Sequence, residues 1–393
     1  MSASAGLSLP APRVLVIIGQ LDVGGAEIHL ARTLPALHSA GIEVNVFALK
    51  QGGGLAQALE RGGVRVFAHP NRRAGLWGLF QAALFLRQVV RRERPQVLHC
   101  FLPAAYLVGT LATLGLPLRR VMSRRSLARY QSAYPGVRWL ERQLHRRMSA
   151  VLANSRAVAR ELLDEGVPPS RLGLIYNGVP EPSSRPDRAA ARQRLGIGAG
   201  TLVLVCVANL IAYKGHADLL DALAMAKDRL PDDWLLLLVG RDDGIGSALR
   251  AQADALGIAT HLRWAGAVDD VADHLAAADI SVLASHEEGF SNAILEGMAT
   301  GLPMLVTDVG GNAEAVVDGQ CGCVVPPATP AALAAALGRL AESSELRRRY
   351  GERARERVVE HFTVARCVEL YRQLYLNLVS RVEPAVPVGA RVG

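Results

Sequence analysis

The chain has 393 residues, half of them hydrophobic and 20% charged, with a mean hydropathy of +0.19. This excludes a disordered or fibrous protein and points to two domains, or three, each with its own core. A net charge of +8 and a pI of about 9.6 leave nucleic acid, anionic lipid and anionic small molecules open as partners.

The N-terminal MSASAGLSLPAP lacks a basic start, and proline breaks its short apolar part, so it does not read as a signal peptide. Apolar runs follow at RVLVIIG (13–19), VNVFAL (44–49), VRVFAH (64–69), QVLHCFL (96–102), AVLANS (150–155) and LGLIYNG (172–178). Past the turn dipeptide Asn177–Gly178, VPEPSSRPDR carries three prolines and reads as a linker. The runs then resume at TLVLVCVANL (201–210), DWLLLLVG (233–240), LRWAG (262–266), ISVLAS (280–285) and PMLVTD (303–308). Continuous apolar runs separated by helical stretches suit parallel strands covered on both faces, hence an α/β fold of two doubly wound domains. The final helical segment, HFTVARCVELYRQLYLNLV (361–379), has apolar residues at helical spacing. No stretch reaches the roughly 18 apolar residues of a membrane-spanning helix. Five cysteines, odd in number and mostly within apolar runs, read as reduced and structural. The expected location is cytoplasmic.

Divided near the linker, the charge becomes more informative. Residues 1–185 hold 24 Lys and Arg against 10 Asp and Glu, whereas residues 186–393 hold 20 against 26. Two segments concentrate the excess: NRRAGLWGLFQAALFLRQVVRRERP (71–95) and RRVMSRRSLARYQSAYPGVRWLERQLHRR (119–147), the latter with nine arginines. They suit an anionic membrane surface or a pyrophosphate-bearing acceptor, and equally two ordinary amphipathic helices with solvated arginines. Nucleic acid is disfavoured, because aromatic interleaving is sparse.

The segment HEEGFSNAILEGMATGLPMLVTDVGG (286–311) holds the most chemistry. Glu288 lies in a loop just after a predicted strand, Ser291 or Asn292 can cap the next helix, and Glu296 follows in its first turns. A helix N-terminus seats phosphate, and a carboxylate one turn further on accepts hydrogen bonds from a vicinal diol. The same two glutamates would also serve simply as helix-start acids. Lys214, in NLIAYKGH, is one of only three lysines among 44 basic residues and precedes Gly215. An ammonium there neutralises a diphosphate, or is a surface lysine. Gly24–Gly25, after the first strand, allows close approach of an anionic ligand or makes a simple turn. The chain lacks a GxGxxG fingerprint, a DxD, a His/Cys ligand cluster and a GxSxG; no metal or other cofactor is expected.

Taken together, GGAE, NSRAVARELLDEGV, IYNGV, VANLIAYKGH, LVG, WAGAVDDV and EEGFSNAILEGMATGLPMLVTDVGGNAEAV resemble glycosyltransferase family 4 along nearly the whole chain. These are retaining, metal-independent enzymes of the GT-B fold that use nucleotide-sugar donors, and the stretch Glu288 to Glu296 reproduces the family's E-x7-E motif. The resemblance implies two Rossmann-like domains facing a cleft: an acceptor-binding domain at 1–182 and a nucleotide-sugar-binding domain at 183–365. A helix at 366–380 would cross back to the N-domain, leaving a flexible tail at 381–393. It further implies that Lys214 binds the donor diphosphate, Glu296 the ribose and Glu288 the transferred sugar. Backbone amides of Phe290, Ser291 and Asn292 would hold sugar and phosphate, Gly266 would face the base, and Gly24 and Gly25 would approach the diphosphate.

Two departures matter. Many members carry an arginine where this chain reads Ala208–Asn209–Leu210, which leaves Asn209 at the donor site and one phosphate cation missing or supplied elsewhere. Many also place a histidine after the strand near 121; here the segment is VMSRRSL, so Arg124 or Arg125, or His99 after the preceding strand, stands in for an acceptor or phosphate contact. The expected activity is hexosyl transfer from a UDP- or GDP-sugar to a saccharide or polyprenyl-diphosphate-linked acceptor. Its setting would be bacterial envelope polysaccharide biosynthesis, at or near the inner face of the cytoplasmic membrane. A nucleotide-sugar epimerase of the same architecture and a non-catalytic saccharide-binding protein are the alternatives.

Overall fold

A computed structural model describes residues 11–22, 24–70, 75–128, 131, 135–181 and 187–392. The first ten residues, the centre of the expected linker (182–186), and Arg72, Arg73 and Arg129 of the basic segments lie outside the described residues.

The chain forms two compact units. The first takes in the described residues of Met1–Asn154, Val158–Tyr176 and Val364–Gly393; the second takes in Ser155–Ala157 and Asn177–Thr363. Within the first, strands β1 (Arg13–Ile18), β2 (Glu43–Ala48), β3 (Arg65–Ala68), β4 (Val97–Phe101), β5 (Arg119–Arg124), β6 (Ala150–Ala153) and β7 (Leu172–Leu174) pair in parallel in the order β3-β2-β1-β4-β5-β6-β7. The continuous apolar runs have their expected cause. Along β1, Val14, Val16 and Ile18 enter the core on one face, while Leu15 and Ile17 enter the core on the other.

In the second unit, β8 (Leu202–Val207), β9 (Trp234–Val239), β10 (Leu262–Gly266), β11 (Ile280–Leu283), β12 (Met304–Thr307) and β13 (Gly322–Val325) are likewise parallel, in the order β10-β9-β8-β11-β12-β13. Each sheet reverses its strand order once, between β1 and β4 and between β8 and β11. In such sheets a ligand binds in the crevice at the C-terminal ends of the two strands that flank the reversal.

The helix Val364–Val379 returns to the first unit, as expected. Cys367, Tyr371, Leu374, Tyr375 and Leu378 are buried along one of its faces, in the same core as Leu30, Leu34 and Leu37 of the helix Gly25–Ser39. The expected flexible tail at 381–393 is corrected, because its described part, to Val392, is docked. Ala385, Val386 and Ala390 are buried in that core, Asn377 Nδ2 donates to the Ala385 carbonyl at 3.1 Å, and Arg391 bridges to Gly173. All five cysteines are buried and unpaired.

Candidate functional site

The loops after β8 and β11 meet at the switch point of the second sheet. Lys214 ends a short 3-10 turn (Ala212–Lys214) beyond β8, and Gly215 follows with a left-handed backbone, φ 68°. A side chain at Gly215 would strike the carbonyl of Ala284, just past β11, so glycine is required twice, for its dihedral and for the close approach. The His286 amide donates to the Tyr213 carbonyl at 2.7 Å, and the His286 ring bonds Asp218 at 2.6 Å. These contacts hold the two loops together and bring Lys214 Nζ to within 2.6 Å of Glu288 Oε1. The same oxygen accepts from Ser285 Oγ at 2.8 Å. Burial by itself opposes the charge on Lys214, but the adjacent Glu288 carboxylate outweighs it and holds the lysine pKa above its ordinary value. Beneath the pair, burial raises the Cys206 thiol to about 12, which leaves it protonated and inert.

Glu288 leads into the helix Asn292–Thr300, with Ser291 at its N-cap. Its first amides have no partner inside the helix, and its dipole presents positive charge at that end. Phe290 is buried with its ring 5.4 Å from that of Phe362, which leaves its backbone as the part available to a ligand. Glu296 lies half-buried on the same helix. Two features absent from the sequence-based site hold this stretch. Asn177, buried, donates Nδ2 to the Phe290 carbonyl at 2.9 Å and to Asn292 Oδ1 at 2.6 Å. Gly310 and Gly311 lie against the backbone of Glu288 and Gly289, where a Cβ at either would collide. The IYNGV and DVGG motifs were the available signals, since Asn and Gly pairs mark turns and close approaches.

Asn209, at the position where an arginine was expected, accepts from the Arg241 amide at 3.2 Å and donates Nδ2 to Asp243 at 3.3 Å. Arg241 also pairs its side chain with Asp243 at 2.6 Å, which brings a cation absent from the sequence-based site to the neighbourhood of Asn209. Gly266 ends the edge strand β10 with φ 71°, and its carbonyl accepts from the Gly240 amide at 2.9 Å.

The remaining expected site residues belong to the first unit. Gly24 is the N-cap of the helix Gly25–Ser39, and Glu27 in its first turn is buried, a desolvation that raises its carboxyl pKa. Arg124 corrects an expectation. It is 3% exposed, and its guanidinium is held by Glu165 and by Glu141 at 2.8 Å, with His145 on the second Glu165 oxygen at 2.9 Å. That geometry makes it a core cation and not a ligand contact. His99 is also interior: its ring bonds Tyr375 Oη at 2.7 Å and Ser123 Oγ at 2.8 Å, and burial, aided by Arg125, lowers its pKa to about 3. Arg125 is half-buried, 5.9 Å over the Phe101 ring and 3.5 Å from Tyr371 Oη.

This arrangement, a half-buried lysine paired with a buried glutamate at a switch point beside a helix N-terminus, suits binding of a diphosphate and a hydroxylated group. Comparison with known proteins gives the family. Residues 23–181 match the Glycosyltransferase Family 4 model and residues 187–357 that of glycosyl transferases group 1. The chain is 31% identical over 405 residues to the D-inositol 3-phosphate glycosyltransferase of Thermobispora bispora, spanning 95% of this chain and 94% of that protein. The same enzyme of Geodermatophilus obscurus is 31% identical over 383 residues, 88% and 85% of the two chains. Among solved structures, Anabaena HepE in complex with UDP-glucose superposes with a TM-score of 0.82 at 23% identity, covering 94% and 99%. Sucrose-phosphate synthase of Thermosynechococcus elongatus gives 0.82 at 21% identity, covering 94% and 100%. The protein belongs to glycosyltransferase family 4 and has the GT-B fold. It is a glycosyltransferase.

Proposed function

We propose that the protein transfers a hexose-type sugar, with retention of anomeric configuration, from a UDP- or GDP-sugar to a saccharide or polyprenyl-diphosphate-linked acceptor of the bacterial envelope. The observation that carries this reading is the Lys214–Glu288 pair at the β8/β11 switch point. Binding of UDP-glucose by the structurally similar HepE supports the donor class. The name of the curated relatives, with an inositol phosphate as acceptor, supports an anionic acceptor.

In this reading the bond between the anomeric carbon and the diphosphate oxygen breaks, and its electron pair stays on that oxygen. Lys214 and the start of the helix Asn292–Thr300 stabilise the charge that develops, a role otherwise filled by a divalent cation. The acceptor hydroxyl bonds to the anomeric carbon on the face the diphosphate leaves, and its proton passes to the departing phosphate. Glu288 orients the transferred sugar and Glu296 the ribose. The first domain, with its positive excess, meets the acceptor at the inner face of the cytoplasmic membrane.

A thermal-shift screen of UDP, GDP and their common sugars, followed by transfer to a candidate acceptor with and without EDTA, tests the proposal. Donor-dependent product, formed equally in EDTA, is the expected result. Conversion of the donor without acceptor would identify an epimerase instead.

A further inference from the structure

The first unit carries a second surface along the crossover helix that leads from the C-terminal end of β3 back to the N-terminal end of β4. The helix Gly75–Glu93 turns a run of large apolar side chains outward: Trp77, Phe80 and Leu84 are 59%, 52% and 49% exposed, and the Trp77 and Phe80 rings stack 5.6 Å apart. Spaced three and four residues apart, they share one helix face, and Gln88 and Arg91 continue it. Arg87 ties the neighbouring helix Pro103–Ala112 alongside through the carbonyls of Ala112 and Leu114 at 2.9 and 3.0 Å. Leu111 and Leu114, both exposed, extend the apolar area. Scattered exposed leucines are ordinary, but a contiguous face that includes Trp and Phe marks an interaction site.

Arg91 leads that face into a cavity of about 730 Å³ at the N-terminal ends of β1 and β5. Its lining includes Arg13, Arg91, Arg94, Arg119 and Arg381 over Leu118 and Leu378, and no carboxylate. Among the described residues none of these five arginines forms an ion pair; Glu93 on the same helix is taken by Arg65 and Arg92. An apolar stripe with Trp and Phe running into unpaired arginines is the pattern of a helix lying in a bilayer interface, with anionic headgroups as counter-ions. Among the described residues no helix is long and apolar enough to cross a membrane, which leaves the interfacial arrangement.

We propose that Trp77, Phe80 and Leu84, together with the arginine-lined cavity, dock the first domain on an anionic bilayer. The apolar side chains enter the interface and a lipid phosphate occupies the cavity. This rests on the reading that the first domain works at a membrane, and it adds the surface that makes the contact.

Flotation of the full-length protein with phosphatidylcholine vesicles, with and without phosphatidylglycerol, tests it. The protein should float with the anionic vesicles and less so at high salt. A Trp77→Ser/Phe80→Ser/Leu84→Ser variant should partition at least ~10-fold less. Substitution of Arg91, Arg94 and Arg381 by Ser should cost roughly fivefold each at low salt. All these side chains are exposed, so thermal midpoints and UDP affinity by calorimetry should match wild type. Wild-type protein that ignores anionic vesicles, or variants that float as it does, would overturn the proposal. So would glycerol phosphate binding as tightly as vesicles, or loss of a dimer rather than of flotation in the apolar variant. Absence of UDP binding with flotation intact would count against the proposed activity and leave the docking surface standing.

Discussion

Lys214 and Glu288 lie 74 residues apart in the chain, yet Nζ and Oε1 are 2.6 Å apart where the second sheet reverses its strand order. The lysine is charged and one of its three donors is held by Glu288, which under the proposed function leaves the others for an anion. Lys214→Ala is expected to weaken UDP binding roughly tenfold to a hundredfold, since it removes a charge-assisted contact and leaves the Glu288 carboxylate uncompensated beside the diphosphate. Lys214→Arg should recover only part of the loss, because a planar guanidinium cannot reproduce the ammonium's position against Glu288. Calorimetric titration with UDP gives both numbers.

Gly215 is the hinge of that geometry. Gly215→Ala drives a Cβ into the Ala284 carbonyl from a left-handed backbone, and the second domain should lose about 2 kcal/mol or more of stability. Gly257 has a similar φ, 68°, with open space around it, so Gly257→Ala should cost about 1 kcal/mol. Urea denaturation of the two variants separates close approach from dihedral strain.

Asn177→Ala removes the Nδ2 donor that reaches the Phe290 carbonyl and Asn292 Oδ1. A loss of about 1–3 kcal/mol is expected, accompanied by a raised KM for the donor, because the start of the helix Asn292–Thr300 is no longer pinned. A variant with lower stability and an unchanged KM would show that Asn177 only supports the fold.

Most of the strands, the parallel sheets and the Glu288–Glu296 segment were legible in the sequence because each leaves a local trace: an apolar run, a glycine, a helix start. β5 and β13 left weaker traces. In β5 three of six residues are arginines, and β13 is the four-residue GCVV. Arg124 was misassigned for a related reason. Its carboxylate partners stand 17 and 41 residues downstream, and only the register of β5 turns it inward. The tail 381–393 has too little periodicity to announce that Ala385, Val386 and Ala390 fill the core beside the helix Val364–Val379. The arginine expected near Asn209 has its nearest counterpart, Arg241, on the next strand's loop, which proximity in space alone reveals.

The docked tail makes its own prediction. A chain ending at Ser380 lacks Ala385, Val386 and Ala390 and uncovers the core they pack against, with the last turns of the helix, and should lose at least about 2 kcal/mol in the first domain. Differential scanning calorimetry should place the loss in that domain and leave UDP-dependent stabilisation in place.

His99 supplies a pH dependence. Its pKa is about 3 in the folded protein against an ordinary 6.5, so the unfolded chain binds the extra proton between those values. Stability therefore falls as pH drops below about 6.5, by about 2 kcal/mol from this residue at pH 5. His99→Gln, which retains hydrogen-bonding capacity but does not titrate, should lose less stability between pH 7.5 and pH 5 than wild type.

The proposed function has Glu288 act on the transferred sugar and Lys214 on the diphosphate. The most direct test is the rate of sugar transfer by Glu288→Gln, with the UDP- or GDP-sugar that most raises the wild-type thermal midpoint as donor. A rate at least ~100-fold below wild type is expected, with UDP affinity changed by no more than a few-fold. Transfer at the wild-type rate by a folded Glu288→Gln protein would contradict it.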